Sequence, residues 1–215
     1  MTDTRAGVVD GPDLGPWLRR KKDARLLPRA AQLALPAAGT AMAAFAGDPE
    51  ALGLVVAVGR EPPDEGEAEA SLAAMCRDGA LARDRLGSEG RALYPPLLPL
   101  RTLPNMVLAH LAIAHGIRGE NAVFAGGEEA GRHAFEEASA MLREGRAEVV
   151  LVGAAYSAVD LASARDRLRL GLSGPPGEGA IFALLSAAMP LPPARLLGVG
   201  DLGPVAALTG LLPSA

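Results

Sequence analysis

The residues best placed to do chemistry form one short cluster, Gly126-Gly127 followed by the acid pair Glu128-Glu129. Two glycines ahead of a helix start resemble an anion cradle, because free backbone N–H groups and the helix dipole both favour negative charge there. The acids that follow would repel a phosphate, and acids in a first helical turn are themselves a common stabilising choice. The three histidines, His110, His115 and His133, fall on segments that read as helices, so their expected work is packing and hydrogen bonding. Cys76 is the single cysteine; it forms no internal disulfide and no cysteine-based zinc site by itself. These residue types show no metal-ligand spacing, and the chain has no nucleophile elbow. No metal and no cofactor is expected.

The elements that must position this cluster alternate between short apolar runs and helical stretches. Val8-Val9 reads as part of a first strand, residues 24–46 as an Ala-rich helix, and Leu52 to Val58 as a buried strand ended by Gly59. A Pro-rich turn over Glu61 to Gly66 leads into a helix from about Glu67 to Leu81. Pro95, Pro96, Pro99 and Pro104 punctuate residues 83–103, which are expected to be loop without regular structure. Pro104 suits a first helical turn, and the helix continues over Asn105 to His115 until Gly116. Asn121 to Ala125 is a short strand, and Glu128 to about Glu144 is a helix stopped by Gly145. Glu148 to Ala155 reads as a central strand, Asp160 to Leu170 as a helix, and Gly174 to Gly179 as a loop. Strands over Ala180 to Ser186 and Arg195 to Asp201 complete the pattern. Wholly apolar strands between helices predict an α/β fold, a mostly parallel mixed sheet with helices on both faces. Neither an internal repeat nor a linker is visible, so residues 1–215 are read as one domain.

Composition narrows the function classes. The 215 residues are 49% hydrophobic and 21% charged, and a chain of this size can bury roughly 70% of its unfolded surface. That excludes disorder, and the 26 glycines and 18 prolines follow no collagen-like period. A net charge of −4 and a pI near 5.4 argue against nucleic-acid binding, which calls for a concentrated basic field. Lys21 and Lys22 are the only lysines among 21 basic residues, which fits GC-rich coding rather than a chemical requirement. Met1 to Asp10 lacks the layout of a signal peptide. Ala30 to Gly47 includes Gln32, Pro36, Gly39 and Thr40, unlike the run of about 20 strongly apolar residues that a membrane span needs. A cytoplasmic chain with no membrane span is expected. Its mean hydropathy of +0.20 points to a face covered by a partner.

The run from Leu103 to Gly119, Leu-Pro-Asn-Met-Val-Leu-Ala-His-Leu-Ala-Ile-Ala-His-Gly-Ile-Arg-Gly, resembles the β-ketoacyl synthase segment I-P-N-M-x-x-G-H-x-x-I-x-x-G-x-x-G. Asn121 to Ala138 follows without a gap and is similar to that family's nucleophile strand and helix, with Gly131, His133, Glu137 and Ala138 at matching places. Arg143 to Val150 resembles the turn R-x-G-x-A-D-V-x, and Gly177-Glu178-Gly179-Ala180 resembles the turn G-E-G-A. Together the matches cover residues 25–202 in the family's order, and they imply the N-terminal half of a thiolase-like fold.

The departures carry as much information. Where the family has its acyl-accepting cysteine, within T-A-C-x-[TS]-G, this chain has Glu128. A thiolate at a helix N-terminus is activated by the dipole and forms a labile thioester, whereas a carboxylate is a poor acyl acceptor. The family's catalytic histidines and lysine belong to a C-terminal half, and none of the three histidines here occupies their places. The resemblance therefore implies a non-enzyme, similar to the chain-length factors that pair with ketosynthases in type II polyketide systems, with an aryl-polyene-type pathway as the preferred setting. It implies a full-length ketosynthase as heterodimer partner, an acyl carrier protein reached through the complex, and no nucleic-acid partner. Ala122, Val123, Phe124 and Ala125 would form the partner interface. Leu98, Thr102, Met106 and Glu128 would line or gate the acyl tunnel. The competing expectation is an enzyme that uses Glu128 in decarboxylative priming of carrier-bound substrate. A third is an unrelated α/β ligand-binding domain.

Overall fold

Gly53–Val58 is buried at every position. Only a strand covered on both faces tolerates such a run, and it forms the central strand β1. Asn121–Ala125 (β2) and Val149–Ser157 (β3) flank it in parallel. Glu178–Ser186 (β4) pairs antiparallel with β3, and Leu197–Val199 (β5) antiparallel with β4, for the order β2-β1-β3-β4-β5. Only β4 is reversed, so the mixed sheet is mostly parallel. The structure is a computed structural model that describes residues 7–18, 20–62, 65–93, 97–172, 175–187, 197–199 and 204–212.

The side-chain alternation of the strands divides the core into two layers. Leu54, Val56 and Val58 join Leu151, Phe182 and Leu184 under Arg29–Met42 (α1) and Asn105–His115 (α3). Val55 and Ala57 join Val150, Val152 and Ile181 under Glu128–Arg143 (α4) and Pro204–Leu211 (α6). The helix α1 runs through Pro36, which lacks the N–H of one helical bond. Small residues let it sit close to its neighbours. A Cβ at Gly39 would lie 2.0 Å from the ring of Trp17, and that ring tilts against His115 at a centroid distance of 5.1 Å.

The glycines of the G-x-x-G stretch have separate causes. Gly116 closes α3 in the left-handed region at φ 70°. At Gly119 a Cβ would meet the carbonyl oxygen of Leu52 at 2.4 Å, where the chain passes close beside the residue that precedes β1.

Several sequence expectations are corrected. Val8-Val9 is not a strand: Gly7 alone bridges to Gly177, and the Val9 N–H donates to Glu178 Oε1 at 2.9 Å. The helix expected over 67–81 is Glu65–Met75 (α2), because Cys76–Arg77 and Ala80–Leu81 turn into a two-stranded hairpin. Asp78 and Gly79 take positive φ at its tip, as an Asp-Gly turn requires. Residues 83–103 are not plain loop, since Arg83–Arg85, Leu86–Gly90, Arg91–Leu93 and Leu98–Thr102 are short helical turns. Pro99 lies in the opening turn of the last, where a missing N–H costs nothing. The strand β4 starts at Glu178 rather than Ala180, and the Glu178 carboxylate is accommodated in the core by its pairing with Arg29. Gly174, Pro95 and Pro96, and the ends of the strand expected over 195–201, lie outside the described residues.

Candidate functional site

The carboxyl ends of β1, β2 and β3 open on one side of the sheet, the usual place for a crevice in a parallel α/β layer. A cleft of about 610 Å³ lies there. Gly59, Arg60 and Glu61 enter it from the end of β1, and Ala125 to Glu128 from the junction of β2 with α4. Tyr156 of β3 and the Thr102–Pro104 segment add to the wall. Leu161–Arg169 (α5) contributes Ser163, Asp166 and Arg167.

Glu128 is the first residue of α4, exposed within this cleft. The junction is held from behind: the Gly126 N–H donates to the Val58 carbonyl at 3.0 Å, and the Ala130 N–H to the Gly127 carbonyl at 3.1 Å. The neighbouring Glu129 is turned to Arg132, whose Nη2 lies 2.6 Å from its carboxylate, so the two acids are not equivalent. Opposite, Arg60 pairs with Asp166 at 2.8 Å and ties the end of β1 to α5. The start of α5 is set by Asp160, which accepts from the Ser163 N–H at 2.8 Å.

The structure brings Thr102 and Glu128 to the same cleft. Thr102 Oγ1 donates to the Pro99 carbonyl at 2.8 Å. Met106, half-buried near the start of α3, is not part of its wall. The side chain of Leu98 lies outside the described residues. Ala122, Val123, Phe124 and Ala125 lie on β2, an edge strand whose outer side carries no strand among the described residues. Phe124 is half-buried, packed on the α4 layer with its ring 6.0 Å from His133. His110 and His115 are half-buried in α3 with Nε2 atoms that have no hydrogen-bond partner among the described residues, and burial holds both rings below the usual histidine range. Among the described residues no group of His, Cys, Asp and Glu is arranged to hold a metal, and no helix is long and apolar enough to cross a membrane.

Two buried glutamates escaped the sequence reading. Glu178 is 0% exposed. It accepts hydrogen bonds from Arg29 at both oxygens, from Ser157 Oγ at 2.9 Å and from the Val9 N–H at 2.9 Å. Burial pushes its carboxyl up, but the bonds from Arg29, Val9 and Ser157 outweigh that and hold it below the ordinary range. Glu61 is 8% exposed in the cleft wall. Its Oε1 accepts from the Ala30 N–H at 3.3 Å, an otherwise uncapped donor in the first turn of α1. Burial, reinforced by the charges of Asp160 and Glu178 and only partly offset by that bond, pushes its carboxyl up to about 8. The signal for Glu61 was its place directly behind the buried strand and Gly59. For Glu178 it was the G-E-G-A motif, which marks a turn but not the burial of its acid.

The family model for the N-terminal domain of β-ketoacyl synthases matches residues 19–183. The chain belongs to the β-ketoacyl synthase family through this N-terminal domain. A solved complex of a type II polyketide acyl-carrier protein with its ketosynthase bound to the hexaketide is similar at a TM-score of 0.63 and 19% identity, covering 81% of this chain and 51% of that one. The ishigamide ketosynthase/chain length factor gives a TM-score of 0.55 at 24% identity, covering 83% and 49%. A β-ketoacyl synthase from Burkholderia phymatum STM815 gives 0.53 at 18%, covering 72% and 35%. No curated protein is significantly similar to the chain. The chain spans about half the length or less of these solved relatives, and it has the N-terminal half of their thiolase-like fold.

Proposed function

We propose that this chain is a non-catalytic, chain-length-factor-like partner of a full-length ketosynthase in type II polyketide or fatty-acid-like biosynthesis. It completes a heterodimer and shapes the acyl tunnel, and an acyl carrier protein reaches it through the complex. The observation that carries this reading is Glu128. At the mouth of the helix that follows β2, where a synthase keeps its thiol, a carboxylate cannot accept and release an acyl group as a thioester does. The open edge of β2 supports assembly, since Ala122-Val123-Phe124-Ala125 carries none of the lysines, prolines or bulges that protect free edges. The similar ketosynthase/chain length factor pair supports the kind of partner. An aryl-polyene-type pathway and a cytoplasmic setting complete the proposal.

Co-expression with a full-length ketosynthase and native mass measurement test it. A one-to-one complex is expected, while Glu128→Cys in the lone chain should create no condensing activity. Turnover by that variant without a partner would overturn the non-catalytic reading.

One observation favours the enzymatic alternative, decarboxylative priming with Glu128: Glu61 supplies a second titratable group in the same cleft. Carbon dioxide release from a malonyl-carrier thioester by the lone chain, abolished in Glu128→Ala, would select that alternative.

A further inference from the structure

Glu61 is a buried acid with one oxygen committed. Its Oε1 takes the Ala30 N–H, its other oxygen has no hydrogen-bond partner among the described residues, and Glu61 is one of the residues that line the cleft. The charges around it are largely matched to other groups. Glu178 is paired with Arg29 of α1, and Asp166 of α5 with Arg60. Asp160, which caps α5, and Glu178 of β4 act on Glu61 as like charges. Arg167 and Glu128 share the cleft wall with it. This surrounding favours the neutral carboxyl until the pH reaches about 8. A neutral carboxyl whose acceptor oxygen is already used has an O–H left to give. A site built around such a donor discriminates against a molecule lacking the matching acceptor, because the donor is then desolvated without a partner.

We propose that Glu61 is a specificity-determining residue of the cleft, which donates a hydrogen bond to a ketone oxygen on an acyl chain and so favours an oxygenated chain over a plain hydrocarbon one. This rests on the reading of the cleft as part of an acyl tunnel. The role is one of selection: no bond of the chain is made or broken by Glu61. Ionised, the same side chain offers no proton and presents a charge that repels the ketone oxygen.

The test is calorimetric titration of the full chain with two N-acetylcysteamine thioesters, octanoyl and an octanoyl chain bearing one mid-chain ketone. At about pH 7 the ketone probe should bind about tenfold tighter, the ratio of one neutral hydrogen bond. At about pH 9.5 that preference should vanish. E61Q, which keeps a donor that does not titrate, should retain the preference at both pH values, and E61L should lose it. Equal binding of the two probes at about pH 7 overturns the proposal, as does binding of neither. A ketone preference that survives in a folded E61L, checked by circular dichroism, also overturns it. Failure of the heterodimer reading shows elsewhere, as absence of co-purification with a ketosynthase, so the two outcomes are separable.

Discussion

Glu178 lies close enough for its charge to act on Glu61, yet their surroundings drive the two to opposite protonation states. Glu178 has a guanidinium and two further donors, and keeps its charge; Glu61 has one backbone donor and acidic company, and keeps its proton. The Arg29–Glu178 pair is asymmetric in exposure, 29% against 0%, so its two halves should not be equally dispensable. Arg29→Met strands a fully buried carboxylate and is expected to cost about 3–5 kcal/mol, whereas Glu178→Gln leaves a partly solvated guanidinium and should cost clearly less. Urea denaturation of both variants checks the order. The pH dependences also oppose. Glu178, depressed in the folded state, contributes stability that is present above the ordinary carboxylate range and lost as pH falls through its folded value. Glu61 is raised, so the folded chain retains a proton that the unfolded chain releases. Its contribution to stability therefore declines between about pH 4.5 and about pH 8 and is level beyond. Glu61→Gln should flatten that decline and leave the acid-side loss from Glu178. A Glu61→Gln variant whose stability falls from pH 5 to pH 8 as steeply as the unsubstituted chain would contradict this assignment.

Among the elements, what the sequence discloses depends on whether the cause is local. Apolar runs show β1, β2 and β3 directly, and Gly116 and Gly145 mark the ends of α3 and α4 because a left-handed residue is needed there. The Asp78-Gly79 hairpin was legible in principle but was absorbed into a helix by its Ala-rich approach. Contacts distant in sequence were not legible. Glu61 caps α1 from 31 residues away, and Glu178 draws in Val9 across 169 residues. No spacing rule reports such pairs. Of the candidate site, the place of Glu128 followed from motif order, while the cleft wall formed by α5 and the end of β1 required the fold. Packing gives this scale its prediction. Gly153 in β3 lies beneath the Phe182 ring, and a Cβ there would fall 2.0 Å from ring atom Cδ1. Phe182 is a large, fully buried side chain, so it has little room to withdraw. Gly153→Ala should destabilise by about 1–3 kcal/mol, the usual range for overpacking, and a second change, Phe182→Leu, should recover part of it. Thermal melts of the single and double variants measure that coupling.

For the whole molecule, the decisive surface is the outer edge of β2. One side of this strand is bonded to β1 along its length, while among the described residues no strand bonds the other. An open edge with uncharged residues favours pairing with another strand, and the proposed occupant is the equivalent strand of a ketosynthase. Phe124 lies on this strand, next to its last residue, and is shared between two settings. Part of the ring packs on the α4 layer beside His133, and part remains exposed, available to a partner. That division sets the expected result of Phe124→Asp. In the chain alone the half-buried position keeps the carboxylate in contact with water, so the fold should survive with a modest loss of stability. In a heterodimer the same carboxylate would be enclosed without a partner charge, at a cost of several kcal/mol, enough to weaken association by more than about a hundredfold. Circular dichroism and co-purification together decide the matter. Retained secondary structure with loss of the ketosynthase supports β2 as the interface. A folded variant that still co-elutes with its synthase places the interface on another face, and outright unfolding assigns Phe124 to this chain's own core.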